Sequence, residues 1–150
     1  MRLLHGFAAA TLLAVATLTA CGGGSADDAS EGDEDTQQAS TNAVTVTARE
    51  FSFEANQQTV TAGKVNLTLH NRGSIPHELI VVRTDLAADK LPVKDGTAQV
   101  AESETIDHLH DVRAGARRSV STELTRGAYV LICNIPAHYQ SGMHLALTVE

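Results

Sequence analysis

From residue 43 onward apolar side chains recur at every second position, the period of strands rather than helices. In "AVTVTAREFSFEA", Val44 and Val46 alternate with polar residues, and Phe51 and Phe53 resume the alternation after a break, which predicts a bulge near Arg49 and Glu50. "GKVNLTLHN" alternates through Val65, Leu67 and Leu69. "HELIVVR" is a short, mostly apolar run of the kind buried on both faces. "RSVSTEL", "GAYVLIC" and "MHLALTVE" follow, the last with Leu145, Leu147 and Val149 in step. Gly63, "NRG" at 71–73, Gly115 and Gly127 separate these runs as turn signals. Many short strands at this spacing predict an all-β sandwich or barrel. Residues 84–104 fit no strand pattern. "DLAADKL" within them suits one or two helical turns, so a partly helical excursion over one face is expected.

Upstream of residue 43 the alternation is absent. Arg2 precedes "FAAATLLAVATLTA", an apolar run too short to span a membrane and stop there. It ends in "LTAC", which resembles a bacterial lipobox, the motif whose cysteine is lipidated and becomes the new N-terminus. Residues 1–20 are therefore expected to be a lipoprotein signal peptide and Cys21 the lipidation site. Residues 22–42 carry six acidic residues, no basic ones and almost nothing to bury. Such a segment cannot offset its ordering entropy, so residues 21–42 are expected to form a lipidated, disordered acidic tether. The folded domain is then 43–150, outside the cytoplasm and anchored to the membrane by lipid.

The charge of −7 lies mostly in the tether. Residues 43–150 hold twelve acidic against ten basic residues, a net −2, so nothing favours nucleic acid as a partner. There is no Trp, and only three Phe and two Tyr, so Val, Leu, Ile and Ala must build the core.

The candidate chemistry lies in "CNIPAHYQSGM", residues 133–143. With Cys21 lipidated, Cys133 is the one remaining thiol, a hazard outside the cytosol unless it is used. Alternation in "GAYVLIC" places Tyr129, Leu131 and Cys133 on the core face. Met143 is the one methionine left after signal removal, in a chain that uses Met nowhere else as filler. His138 lies midway between them, and Pro136 and Gly142 shape the loop. Thiolate, imidazole and a weak thioether are the donors of a blue copper site, which takes a second imidazole. His77, after Pro76 and before "LIVV", is the candidate. His70 is expected to face solvent or bond locally, and His144 to point to the opposite face. Zinc would be expected to show paired C-x-x-C ligands, which are absent. "DHLHD" at 107–111 pairs His108 with His110 and is read as a solvated edge or loop, the alternative being a second, adventitious metal site.

Together, "NRGSIPH", "GAYVLIC" and Cys-x₄-His-x₄-Met resemble the cupredoxin family of blue copper proteins, over all of residues 43–150. The spacing is most similar to that of auracyanin and rusticyanin. The resemblance implies a Greek-key β-sandwich holding one copper ion, with His77, Cys133 and His138 as equatorial ligands and Met143 as the axial one. It implies single-electron transfer to transient redox partner proteins, by a monomer that is not an enzyme. Several members carry Asn or Ser just after the first histidine as a brace. Glu78 stands there in this chain, and Asn134 is expected to supply part of that bracing. The His138 ring, ringed by Ile135, Pro136 and Ala137, is the expected electron port, with His77 enclosed. The competing reading is a copper carrier or storage protein, which one Met and a buried thiolate argue against.

Overall fold

The computed structural model describes residues 42–150. The expected signal peptide, Cys21 and nearly all of the acidic segment lie outside the described residues. Asn42 is already tied into the sandwich: its side chain donates to Thr61 O and Lys64 O and accepts from Thr61 N–H. Among the described residues, no helix is long and apolar enough to cross a membrane.

Among the described residues there are eleven strands, nine of them in two main sheets. They are β1 (Ala43–Arg49), β2 (Ser52–Ala55), β3 (Thr59–Val60), β4 (Gly63–Asn71), β5 (His77–Arg83), β6 (Val93–Lys94), β7 (Thr97–Ala98), β8 (Thr105–Val112), β9 (Arg117–Leu124), β10 (Gly127–Ile132) and β11 (His144–Val149). One sheet runs β2-β1-β4-β9, the other β3-β11-β10-β5-β8, and β6 and β7 pair as a small hairpin. β1 lies parallel to β4, and β3 parallel to β11; the other pairings are antiparallel. The chain changes sheet between β2 and β3, β3 and β4, β4 and β5, β8 and β9, and β9 and β10, the crossings of a Greek-key sandwich.

The period-two residues fill the space between the sheets. Val44, Val46, Val65, Leu67 and Leu69 of one sheet form a single buried cluster with Leu79, Val81, Tyr129, Leu131 and Leu147 of the other. Truncating a fully buried leucine such as Leu67 or Leu131 to Ala would cost about 2–5 kcal/mol. Cys133 and Met143 belong to this same cluster, so the sulfur atoms enter at one end of the core.

The excursion explains why the "LIVV" of β5 is apolar on both faces. Its Leu91 and Ala98 pack with Ile80, Val82, Val130, Ile132 and Tyr139 in a second buried cluster, on the outer face of β5 and β10. The helical turns expected at "DLAADKL" do not form. The Leu91 N–H, which would continue such a helix, donates instead to Tyr139 Oη at 2.9 Å. The segment contains instead a 3-10 turn at Glu102–Glu104, the helical element among the described residues, and the β6–β7 hairpin.

A second expectation changes at Arg49 and Glu50. The chain does not bulge there but reverses: β1 and β2 form an antiparallel hairpin in which Arg49 pairs with Ser52. Glu50 and Phe51 are its turn, so both project at the end of the sandwich where the sulfur atoms lie.

Candidate metal centre

Two loops at this end bring the candidate ligands together. The first, "NRGSIP", is organised by Asn71, a fully buried polar residue. Its Nδ2 donates to Ile75 O at 2.7 Å and to Val112 O at 2.8 Å, while its Oδ1 accepts from Gly73 N–H at 2.8 Å. This Asx-turn fixes the backbone just before β5 and so the starting position of His77. The second loop closes on itself. Cys133 N–H donates to Met143 O at 3.0 Å, and Met143 N–H donates to His138 O at 3.2 Å. Each ligand candidate in this loop is thus held by the backbone of another. Gly142, with φ +117, makes the final turn; a Cβ there would press on Phe51 O at 3.1 Å.

Cys133 Sγ lies 3.4 Å from His138 Nδ1 and 4.0 Å from His77 Nδ1. One donor atom from each of the three residues lies within 4.8 Å of the others. A trigonal site with metal–sulfur bonds of about 2.3 Å and metal–nitrogen bonds of about 2.0 Å spaces sulfur from nitrogen by about 3.7 Å. The two observed separations bracket that value, so the pocket fits a metal ion of copper or zinc size with little adjustment. The soft thiolate and paired imidazoles, with buried Met143 in the same loop, favour copper.

The pocket is dry. His77, Cys133 and Met143 are 0% exposed and His138 only 7%. Burial pushes the Cys133 thiol up, against the backbone N–H groups of Glu78 and Ile135, which pull it down. Burial lowers both imidazoles, and at His77 the neighbouring His138 adds to the effect. Low histidine pKa values keep the nitrogen lone pairs free for a metal, whereas the thiol must release its proton when a metal binds.

Two side chains stand behind the ligand candidates. Glu78 Oε1 accepts Asn134 N–H at 3.0 Å and ties β5 to the residue after Cys133. The Asn134 side chain bonds the excursion. Its Oδ1 accepts Ala98 N–H at 2.6 Å, and its Nδ2 donates to Ala98 O at 3.0 Å. Ala137 N–H donates to Gly96 O at 2.8 Å, and Tyr139 Oη donates to Ala88 O at 2.8 Å. The excursion therefore clamps the ligand loop from outside the sheet.

Glu50 and Phe51 were not singled out by the sequence pattern. Glu50 Oε1 stands 3.5 Å from His77 Nε2, a buried nitrogen with no hydrogen bond of good geometry. The ring of Phe51, 43% exposed, meets His138 edge-on with centroids 5.0 Å apart. An apolar residue in a tight turn was the available signal. Pro136, Ala137 and Ile75 are exposed nearby in sequence to the two histidines, and Ile135 is half-buried. His70 bonds locally, accepting from Arg72 Nε at 3.3 Å. His144 packs beside Tyr139, away from the pocket.

The sulfocyanin (SoxE) domain model matches residues 57–150. No curated protein sequence matches the chain. Among solved structures, auracyanin from Roseiflexus castenholzii is 20% identical, with a TM-score of 0.56 over 73% of this chain and 97% of its own. Auracyanin A of Chloroflexus aurantiacus, a "blue" copper protein, is 21% identical, with a TM-score of 0.56 over 72% and 98%. Rusticyanin from Thiobacillus ferrooxidans is 20% identical, with a TM-score of 0.54 over 73% and 78%. These likenesses are of fold. With the family match covering well over half of the chain, and with a thiol and two imidazoles converging at the end of a β-sandwich, the chain belongs to the sulfocyanin (SoxE) family of cupredoxins, single-copper electron carriers rather than enzymes.

Proposed function

We propose that His77, Cys133, His138 and Met143 would hold the copper ion, and that the chain passes single electrons between partner proteins outside the cytoplasm. The observation that carries this reading is the convergence of Cys133 Sγ, His77 Nδ1 and His138 Nδ1 in one buried pocket. Copper bound there supplies one reversible electron through its Cu(II) and Cu(I) states. The protein's part is to fix the donors. β5 and β10 pair Ile80 with Ile132, so the strands bearing His77 and leading to Cys133 are locked side by side. Glu78 and the clamp from the excursion hold the loop, and burial of the ligands excludes water. A site that cannot rearrange suits an electron carrier better than a carrier or storage protein, which must release its metal.

In this reading Cys21 is lipidated after removal of residues 1–20, and residues 21–42 tether a monomeric domain to the membrane. The LTAC motif and the acidic, apolar-poor composition support it.

The visible spectrum of the copper-loaded protein tests the centre. Thiolate bonded to Cu(II) should give intense charge-transfer absorption, and Cys133→Ser should abolish it. A colourless Cu(II) complex, or colour that persists in Cys133→Ser, would sink the assignment.

A further inference from the structure

A second donor cluster lies on the outer face of the five-stranded sheet. One oxygen of Glu78 and one ring nitrogen each of His108 and His110 lie within 4.8 Å of one another. The backbone assembles them. His77 pairs with Val112 and Leu79 with Leu109, so β8 has one more residue than β5 over this stretch. The extra residue makes a bulge in which His110 and Asp111 oppose the single Glu78, with Asp111 at φ +44. Bulges re-aim side chains, and this one leaves the His108 and His110 rings 3.2 Å apart between centroids, at 39°. His108 Nε2 already meets Glu78 Oε2 at 3.0 Å. β8 is an edge strand and His110 is exposed, so a solvated ion can reach the cluster.

We propose that Glu78, His108 and His110 form a second metal site, for a borderline divalent cation of the zinc type. Two imidazoles and one carboxylate suit zinc, nickel or copper(II); magnesium and calcium take oxygen donors. A tetrahedral shell with bonds of about 2.0 Å spaces its donors by about 3.3 Å, so the three side chains need only draw inward. The cation would replace the direct contact between His108 and Glu78. Three protein ligands leave positions open to water or to a group on another molecule.

Glu78 also links the two sites. Its other oxygen accepts the N–H of Asn134, next to Cys133. A cation on Glu78 draws negative charge away from the thiolate loop and disfavours Cu(II), so occupancy raises the copper potential. This linkage rests on the copper reading; the cation site does not.

Calorimetric titration of the copper-loaded protein with Zn²⁺ alone should show one further equivalent bound. His108→Asn and His110→Asn should each weaken it at least about tenfold, the scale of losing a donor or its support. His110 is exposed, and an unchanged visible spectrum shows that its variant is folded. No further equivalent in the wild type, or one equally tight in both variants, overturns the site. The potential should rise with Zn²⁺ in the wild type and not in His110→Asn; a potential unmoved by bound Zn²⁺ overturns the linkage. Zn²⁺ binding that His110→Asn weakens, in a chain that never develops copper colour, would instead count against the copper centre and leave the second site standing.

Discussion

Glu50 Oε1 stands 3.5 Å from His77 Nε2, and the same oxygen accepts the backbone N–H groups of Ser74 at 2.6 Å and Ile75 at 3.1 Å. The carboxylate is thus held by the turn that precedes the histidine it faces. Gly73 is part of that arrangement, since a Cβ there would overlap the Glu50 carboxylate. A carboxylate behind a ligating imidazole orients the ring and makes it a stronger donor. Glu50→Gln should therefore weaken copper binding by about 10–100-fold and raise the potential, because loss of the negative charge disfavours Cu(II). Competition with a chelator and a redox titration measure the two effects. Unchanged values in both would reduce Glu50 to a turn residue.

The same contacts set an acid limit. The Ser74 and Ile75 N–H groups hold the Glu50 carboxyl at about 2, well below its ordinary 4.5. The folded state then binds fewer protons than the unfolded chain as pH falls below the unfolded value. Its contribution is fully present above about pH 4.5 and is lost as pH falls towards about 2. Urea midpoints of the metal-free protein at about pH 5 and about pH 3 should fall more in the wild type than in Glu50→Gln. Parallel losses would place the acid sensitivity elsewhere.

Asn71 carries a larger share of the fold. Asn71→Ala leaves the buried Val112 carbonyl without its donor, at about 1–3 kcal/mol, and frees the turn before His77. A urea midpoint lowered to match, together with weaker copper binding, is expected. Lost stability with unaltered copper binding would mean that β5 positions His77 without the Asx-turn.

These residues show where sequence reading reaches and where it stops. Cys133, His138 and Met143 share one loop, and a buried strand follows His77, so periodicity and spacing expose them. The sandwich is legible for the same reason: Val44, Val46, Leu67 and Leu69 repeat at the period of a strand. Glu50 and Phe51 were hidden because the change of phase between Val46 and Phe51 marks a bulge and a two-residue reversal alike. The partner of Asn134 depends on how residues 84–104 return to the sheet, and local pattern carries no record of that. The Glu78, His108 and His110 cluster needs a one-residue register shift between strands about thirty positions apart.

Met143 is fully buried, and its backbone bonds to both other ligand candidates in its loop. Met143→Leu keeps the volume but removes the thioether. It should retain copper and colour and raise the potential, because loss of even a weak donor favours Cu(I). Met143→Gln, with a harder oxygen donor, should lower it. If neither variant moves the potential, Met143 serves only as core.

The last prediction concerns where electrons enter and leave. His77 is wholly enclosed, whereas His138 keeps 7% exposure, with its ring and that of Phe51 meeting edge to face. Pro136 and Ala137 are exposed in the loop just before His138. A small apolar surface suits brief redox encounters, which bury little area and must separate quickly. Charge placed there should repel or wet the contact without reaching the ligands. Ala137 sits at φ +71, and Lys adds no backbone strain that the Ala Cβ does not already impose. Ala137→Lys and Pro136→Glu should therefore slow electron exchange with a physiological partner while the visible spectrum stays nearly unchanged. Two charges of opposite sign separate the causes. If both variants slow exchange, loss of the apolar contact is responsible; if one slows it and the other accelerates it, the partner's charge governs docking at the same surface. Wild-type rates in both would move the port away from His138.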